Sequence, residues 1–362
     1  MHVTRLTLKN FRNYSEQSIE LSPMTNLIYG KNAQGKTNIL EAVYMFSQGK
    51  SHRAKTDKEL IHFDKDFARI SADFKTSERE YNSVMTFAKN GKKTISINNV
   101  HIKKLSMLMN YLNTVMFSPE DLSLVKGSPS VRRKFIDLAI SQLFPKYLVS
   151  LIDYNKALTQ KNSLLKTLKY SGKTSDVMLS VWNEQLSEDG AKIMQYRIEF
   201  LDALKKFAEG IQKEISGESL TVSYLPGIKT ENVTKEDFYN ALEKNQRREI
   251  EFQTSLCGIQ RDDIKIDING CEAKIFGSQG QQRTAALTLK IALSDYMNYI
   301  NDEYPVLLLD DIMSELDKSR RMYLSEKIKN KQVLITSTDT DVPCSSGSTK
   351  LFYAEDGKVF ER

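Results

Sequence analysis

The chain has 362 residues, of which 40% are hydrophobic and 27% charged. That is enough for about two domains at ~150 residues each, and the balance excludes a wholly disordered, collagen-like or disulfide-framework protein. No window approaches the ~18 uninterrupted apolar residues that a membrane helix requires, so no membrane partner is expected. The first ten residues lack the basic and apolar regions of a signal peptide, and the expected compartment is the cytoplasm. Cys257, Cys271 and Cys344 are too few and too scattered for a zinc site or a disulfide scaffold. Lys and Arg number 52 against 46 Asp and Glu, a net charge of +6 that permits a polyanionic partner without establishing one.

In chain order, Val3, Leu6 and Leu8 begin an edge-like strand, and Asn26-Leu27-Ile28-Tyr29 is a short apolar run stopped by Gly30. A helix is expected from about Lys36 to Phe46, with Ile39, Leu40, Val43 and Phe46 on one stripe. Between Phe67 and Ile102 the pattern turns to period two, with Asn98-Asn99 as a hairpin turn. This predicts an antiparallel β patch attached to the first strands.

The texture changes at Gly127-Ser128-Pro129-Ser130. One helical face carries Phe135, Leu138, Leu143, Tyr147, Leu151, Tyr154 and Leu158, and a second carries Val181, Leu186, Ile193, Tyr196, Phe200 and Leu204 after the polar turn Tyr170-Ser171-Gly172-Lys173. Two long antiparallel helices are the expected solution, without the sustained heptads of a long coiled coil. Strands return at Ile264–Ile268, Val306–Asp310 and Val333–Thr336.

Gly30-Lys31-Asn32-Ala33-Gln34-Gly35-Lys36-Thr37 fits the phosphate-loop pattern, after an expected strand and before an expected helix. The glycines let the backbone wrap a β-phosphate, amides at the helix start point at the anion, Lys36 neutralises β/γ oxygens, and the Thr37 hydroxyl ligates Mg²⁺. Such a site needs a carboxylate for the metal at the end of a buried strand. Val306-Leu307-Leu308-Leu309-Asp310-Asp311 supplies Asp310 there, and Asp311 is placed to hold or polarise an attacking water. Gly277-Ser278-Gln279-Gly280-Gln281-Gln282, ahead of another helical run, reads either as a helix cap or as a second anion site.

Phosphate loop, Ser278-Gln279-Gly280-Gln281-Gln282, Asp310-Asp311 and Ser314-Glu315-Leu316-Asp317 come in the order used by ABC-type ATPase heads, including their SMC-like DNA-repair group. Within that group the chain resembles the bacterial RecF family. The likeness is carried by Leu8-Lys9-Asn10-Phe11-Arg12-Asn13-Tyr14, the phosphate loop, Ser51-His52-Arg53, Asp57-Lys58-Glu59-Leu60, Phe117–Leu122 and Lys126–Arg133. It implies an α/β fold: an ABC-type P-loop ATPase head, with a mixed sheet and antiparallel β patch, and an inserted α-helical arm. The expected divisions are 1–126 and 249–362 for the two parts of the head and 127–248 for the arm.

The resemblance also implies a weak, DNA-stimulated ATPase acting as a switch, with ATP and Mg²⁺ as cofactors. ATP would be held by Gly30 to Thr37 of one subunit, while Ser278 and Gly280 reach the γ-phosphate held by the other and Asp317 lies at the same homodimer interface. Lys36 and Asp311 would be catalytic, and Thr37 and Asp310 would ligate the metal. The implied partners are single- and double-stranded DNA and RecR, with RecA loaded indirectly onto gapped DNA during repair, replication and the SOS response.

Two departures stand out. Asp311 is one methylene shorter than the usual Glu, and no His follows the last core strand, where Ser337 or a flanking Thr would have to stand in; slow turnover is therefore expected. Arg132-Arg133-Lys134, Lys103-Lys104, Lys92-Lys93 and Arg247-Arg248 are candidate phosphate contacts, although a charge run is commonly a solvated face. Trp182 and the tyrosines on helical stripes read as core. The competing reading is the ATP-hydrolysing subunit of an ABC transporter. A P-loop kinase leaves the Ser278 and Asp317 motifs unexplained.

Overall fold

A computed structural model describes residues 1–109, 111–228, 233–340 and 349–362; Cys344 lies outside them. The first third is mostly strand: β1 (His2–Phe11), β2 (Tyr14–Glu20), β3 (Thr25–Tyr29), then helix α1 (Lys36–Gln48), then β4 (Phe67–Lys75), β5 (Glu80–Ala88), β6 (Thr94–Ile97), β7 (Val100–His101) and β8 (Thr114–Phe117). The middle holds α2 (Leu122–Lys126), α3 (Pro129–Leu143), α4 (Pro145–Ser171), α5 (Val177–Ser216), β9 (Leu220–Leu225), α6 (Lys235–Phe252), β10 (Asp263–Ile268) and β11 (Cys271–Glu272). The last third is α7 (Ala273–Phe276), α8 (Gln279–Asn301), β12 (Val306–Asp310), α9 (Ile312–Glu315), α10 (Lys318–Lys327), β13 (Val333–Ser337), β14 (Lys350–Glu355) and β15 (Lys358–Glu361).

Contacts divide the chain into two compact units. The first comprises Met1–Leu122, Ile211–Gly217 and Arg283–Arg362, and the second Ser123–Gly210 and Glu218–Gln282. In the first unit one sheet is wholly antiparallel, in the order β2-β1-β4-β5-β6-β7. Its β6–β7 hairpin turns through Asn98 and Asn99, both at positive φ (48° and 65°), as a two-residue primed turn requires. The second sheet runs β15-β14-β3-β13-β12-β8, parallel except for the last pair β14–β15. All of Val306 to Leu309 and all of β13 are buried, as strands covered on both faces must be.

One core joins the two sheets through α1, whose Ile39, Leu40, Ala42, Val43, Met45 and Phe46 are buried together with Leu6, Leu8, Ile70, Met85, Leu308 and Leu334. The C-terminal end of α5 is fixed inside the same unit. Thr288 Oγ1 donates 2.8 Å to the buried Gln212 Oε1, and Tyr323 and Lys327 both reach Glu214.

The second unit is helical with one small sheet, β11-β10-β9. A single first helix through Phe135 and Leu158 was expected, but the chain breaks at Phe144, whose φ −131° and ψ 92° are extended, and restarts with Pro145 at the first position of α4. The proline ring excludes the α conformation at the residue before it while suiting the start of the next helix. The polar turn falls where expected, with Gly172 ending α4 in the left-handed conformation.

The interior of this unit is polar at two places. Arg197, 1% exposed, pairs with Asp262 and with Asp137 and meets the Tyr147 hydroxyl. Lys161 and Glu249, both fully buried, form an ion pair at 2.7 Å; the same carboxylate accepts from Ser255 Oγ and the Leu256 amide. No helix of the described residues is long and apolar enough to cross a membrane.

Candidate nucleotide site

The turn between β3 and α1 has the backbone that a phosphate cradle needs. Gly30 has φ 146°, Ala33 φ 65° and Gly35 φ 97°. A Cβ on Gly30 would come within 2.4 Å of the Ala354 carbonyl oxygen, so neither conformation nor space admits a side chain. Outside contacts fasten the loop: Asn13 Nδ2 donates 3.1 Å to the Gln34 carbonyl, the Tyr14 hydroxyl 3.1 Å to the Gly35 carbonyl, and the Asp356 amide 2.6 Å to Gln34 Oε1.

Lys36 Nζ folds back onto the loop and donates to the carbonyls of Gly30 (2.5 Å) and Lys31 (2.9 Å). Its burial pulls the ammonium below its ordinary range, while the charges of Asp311 and Asp310 oppose that fall. The lysine therefore waits, desolvated, at the mouth of an anion cradle.

Asp310 emerges at the carboxyl end of β12 and gathers two hydroxyls on one oxygen: Thr37 Oγ1 donates at 2.8 Å and Thr336 Oγ1 at 2.7 Å. The Thr37–Asp310 pair brings a hydroxyl and a carboxylate together beside the cradle. These hard oxygens fit Mg²⁺, which takes one or two protein oxygens with phosphates and waters. Asp311 follows in the left-handed region (φ 51°), an uncommon conformation for a residue with a side chain, and its amide donates 3.0 Å to Thr336 Oγ1. Thr336, on the neighbouring strand β13, thus touches both aspartates. Of the residues considered as a stand-in for the missing His, it is this threonine that sits against the carboxylates.

Ser278 and Gln281 cap α8 reciprocally: the Gln281 amide donates 3.2 Å to Ser278 Oγ, and the Ser278 amide 2.8 Å to Gln281 Oε1. Ser278 is exposed and Gly280 half-buried. Asp317 caps α10, accepting 2.9 Å from the Arg320 amide and pairing with the Arg320 side chain, and these contacts hold its carboxyl below the usual range. Ser278 and Gly280 fall in the unit that does not hold the phosphate loop, while Asp317 falls in the unit that does.

The family model described as "RecF/RecN/SMC N terminal domain" matches residues 2–354. The chain is 41% identical to the "DNA replication and repair protein RecF" of Clostridium botulinum (strain Okra / Type B1), over 99% of both chains. It belongs to the RecF family. A RecF from Clostridium perfringens (strain SM101 / Type A) is 40% identical over 99% of both chains, and one from Bacillus cereus (strain B4264) 42% identical over 94% of this chain and 93% of that one. Among solved structures, "Structure of the recombination mediator protein RecF-ATPrS in RecFOR pathway" superposes with TM-score 0.94 at 36% identity, covering 99% of this chain and 98% of that one. An Smc head domain from Pyrococcus furiosus shares the fold at TM-score 0.58 and 18% identity, covering 100% of this chain and 96% of that one.

The structure gives a place to RecF-family segments that carried no role in the sequence. Leu8–Tyr14 and Ser51–Arg53 meet over α1 at Glu41, which is fully buried. Arg12 grips its carboxylate with two nitrogens (2.7 and 2.9 Å), Arg53 adds a third contact at 2.9 Å and Ser51 Oγ a fourth at 2.5 Å. Burial pushes the Glu41 carboxyl up, yet hydrogen bonds from Arg12, Ser51 and Arg53 outweigh it and hold the group at about 2, from 4.5. Asn38 links this cluster to the loop, accepting from Arg53 and donating to Asn13. Glu41 lies opposite the Ile39, Leu40, Val43 and Phe46 stripe of the predicted helix, so the stripe gave no signal of its burial.

The basic clusters divide. Arg132 is buried in a two-pronged pair with Asp263 and is corrected from a candidate DNA contact to a residue that holds the helical unit together, while the half-buried Arg133 donates to the Asp262 carbonyl and Lys134 is exposed. Lys93 is engaged by Asp57 and the Gly49 carbonyl. Lys92, Lys103, Lys104, Arg247 and Arg248 are exposed. Tyr147 and Tyr154 are core as expected, whereas Trp182 is only half-buried.

Proposed function

We propose that this chain is an ATP-switched DNA-repair protein of the cytoplasm. It binds ATP and Mg²⁺ between Gly30 and Thr37, dimerises on binding, and hydrolyses slowly in response to DNA. The observation that carries the reading is the convergence of Lys36, Thr37, Asp310 and Asp311 on one phosphate cradle in a chain of the RecF family. Solved relatives described as RecF-ATP and RecF-ATPrS of the RecFOR pathway support nucleotide binding at such a site.

In this reading Lys36 exchanges its two loop carbonyls for phosphate oxygens, and the amides at the start of α1 hold the same anion. Thr37 and Asp310 would ligate Mg²⁺, which supplies charge neutralisation on the phosphates when bound. Asp311 orients the attacking water, and Thr336 fixes both aspartates. Ser278, Gly280 and Asp317 serve the nucleotide of a second subunit, so binding assembles a dimer and hydrolysis releases it. The head of this reading is the first unit and its arm the second, so the expected joints at 126 and 248 move to 122 and 282, and Ile211–Gly217 goes with the head. On gapped DNA, with RecR, the switch would help RecA load onto single strands. Membership of the RecF family leaves the transporter reading without support.

The test is ATPase rate and sedimentation of the full chain with and without double-stranded DNA across a salt series. Dimerisation with ATP, stimulation by DNA, and DNA affinity that falls steeply with salt are expected. A flat salt response removes the DNA reading. Lys36→Arg should keep ATP binding and lose most hydrolysis; unchanged turnover takes Lys36 out of its role.

A further inference from the structure

The phosphate loop is shaped from outside itself. Asn13 Nδ2 holds the Gln34 carbonyl at 3.1 Å, and the Tyr14 hydroxyl holds the Gly35 carbonyl at 3.1 Å. The carbonyl and amide of one trans peptide point opposite ways, so pinning these two oxygens turns the amides of Gly35 and Lys36 away from Asn13 and Tyr14. The Asn13 side chain also takes the space that a side chain at Gly35 would need: a Cβ there would come within 2.4 Å of it.

A side-chain amide can present either end to a neighbour, and its partners decide which. Asn13 Oδ1 accepts 2.8 Å from Asn38 Nδ2, which leaves Nδ2 for the Gln34 carbonyl. Asn38 Oδ1 in turn accepts from Arg53, whose guanidinium donates and never accepts. Arg53 is held at 2.9 Å by the buried Glu41 carboxylate. Donor direction therefore runs one way, from Arg53 through Asn38 and Asn13 to the Gln34 carbonyl. Without Asn38, Asn13 is free to turn over and set Oδ1 against that carbonyl, and the peptide behind it loses its aim.

We infer that Asn13 and Asn38 are positioning residues for nucleotide binding: they aim the Gly35 amide at a bound phosphate, while Arg53 and Glu41 fix which way each asparagine faces. The inference rests on the nucleotide site proposed above. Neither asparagine has to touch the nucleotide. An aimed amide serves the phosphate alike before and during hydrolysis, so the relay acts on affinity and leaves the chemical step alone.

Titration of the full chain with a fluorescent ADP analogue, beside steady-state ATPase kinetics and thermal unfolding, tests this. Asn13→Ala and Asn38→Ala should each raise the ADP dissociation constant about tenfold, the scale of one hydrogen bond. KM for ATP should rise with kcat little changed. In the double variant the loss should stay near that of Asn13→Ala alone, because Asn38 acts through Asn13. Asn155→Ala, at an exposed asparagine of the helical unit, should change nothing. Wild-type affinity in both single variants, or a loss that only follows the fraction unfolded, would overturn the inference while the nucleotide site stands. Losses that add in the double variant would refute the relay. If the wild type binds no ADP, the nucleotide site fails and the inference with it.

Discussion

Thr37 Oγ1 and Asp310 Oδ1, 273 positions apart in the chain, are 2.8 Å apart in space. One follows the phosphate-loop lysine and the other ends a strand buried on both faces, so each is fixed by an element that cannot shift without disturbing the core. Thr37→Val should lower Mg²⁺-dependent hydrolysis by about 100-fold, the scale on which single preorganised groups act, while Thr37→Ser retains most of it. A steady-state ATPase titration against Mg²⁺ checks this; a Val variant as active as the Ser variant would remove the hydroxyl from the metal site.

Gly30→Ala places a methyl group 2.4 Å from the Ala354 carbonyl oxygen at a φ of 146°. Strained backbone of this kind costs about 1–3 kcal/mol, and the loop must also move away from β14. Both the unfolding midpoint and nucleotide affinity should fall. Calorimetry and a fluorescent nucleotide titration measure the two, and an unchanged affinity would show that the loop tolerates the displacement.

Glu41 gives an acid-side signature. Its folded carboxyl sits at about 2 against 4.5, so its stabilising contribution is complete above the unfolded value and is lost as pH falls from about 4.5 towards 2. Glu41→Gln should cost about 3 kcal/mol at neutral pH, since Arg12 and Arg53 lose their shared counter-charge. The gap between wild type and variant should close as the solution is acidified. Urea unfolding at pH 7 and at successively lower pH reads this, and a pH-independent gap would contradict it.

The buried Lys161–Glu249 pair predicts non-additivity. Lys161→Met leaves a carboxylate without its cation inside the helical unit and should cost about 3–5 kcal/mol. Adding Glu249→Gln removes the stranded charge while keeping an acceptor for Ser255 and the Leu256 amide, and should restore a large part of the loss. Equal stabilities for the single and double variants would mean that the pair is relaxed by water or rearrangement.

Much of the head was legible because its signals are local. The phosphate loop, the four buried residues before Asp310 and the Asn98-Asn99 turn each encode a conformation in a few neighbouring positions. What escaped was what depends on distant partners. Nothing near Arg132 announces Asp263, so a basic run read as surface turned out to be an interior clasp. Arg12 and Arg53 likewise acquire meaning only when folding brings both to Glu41. The break at Pro145 was readable from local chemistry, but the apolar stripe running through it masked the signal. Thr336 was one of several hydroxyls open to choice until strand register placed it beside Asp310 and Asp311.

The strand order carries a consequence for the birth of the protein. β3, made within the first thirty residues, has β13 on one side and β14 on the other. Both neighbours are made after the whole helical unit, so at usual synthesis rates the loop after β3 spends tens of seconds without the sheet that shapes it. The helical unit, by contrast, contains nothing beyond Gln282 and can close earlier. An unfinished or C-terminally clipped chain would therefore lack both neighbours of β3 and the cradle they shape. The order of synthesis thus makes the loop after β3 wait for strands encoded beyond the helical unit.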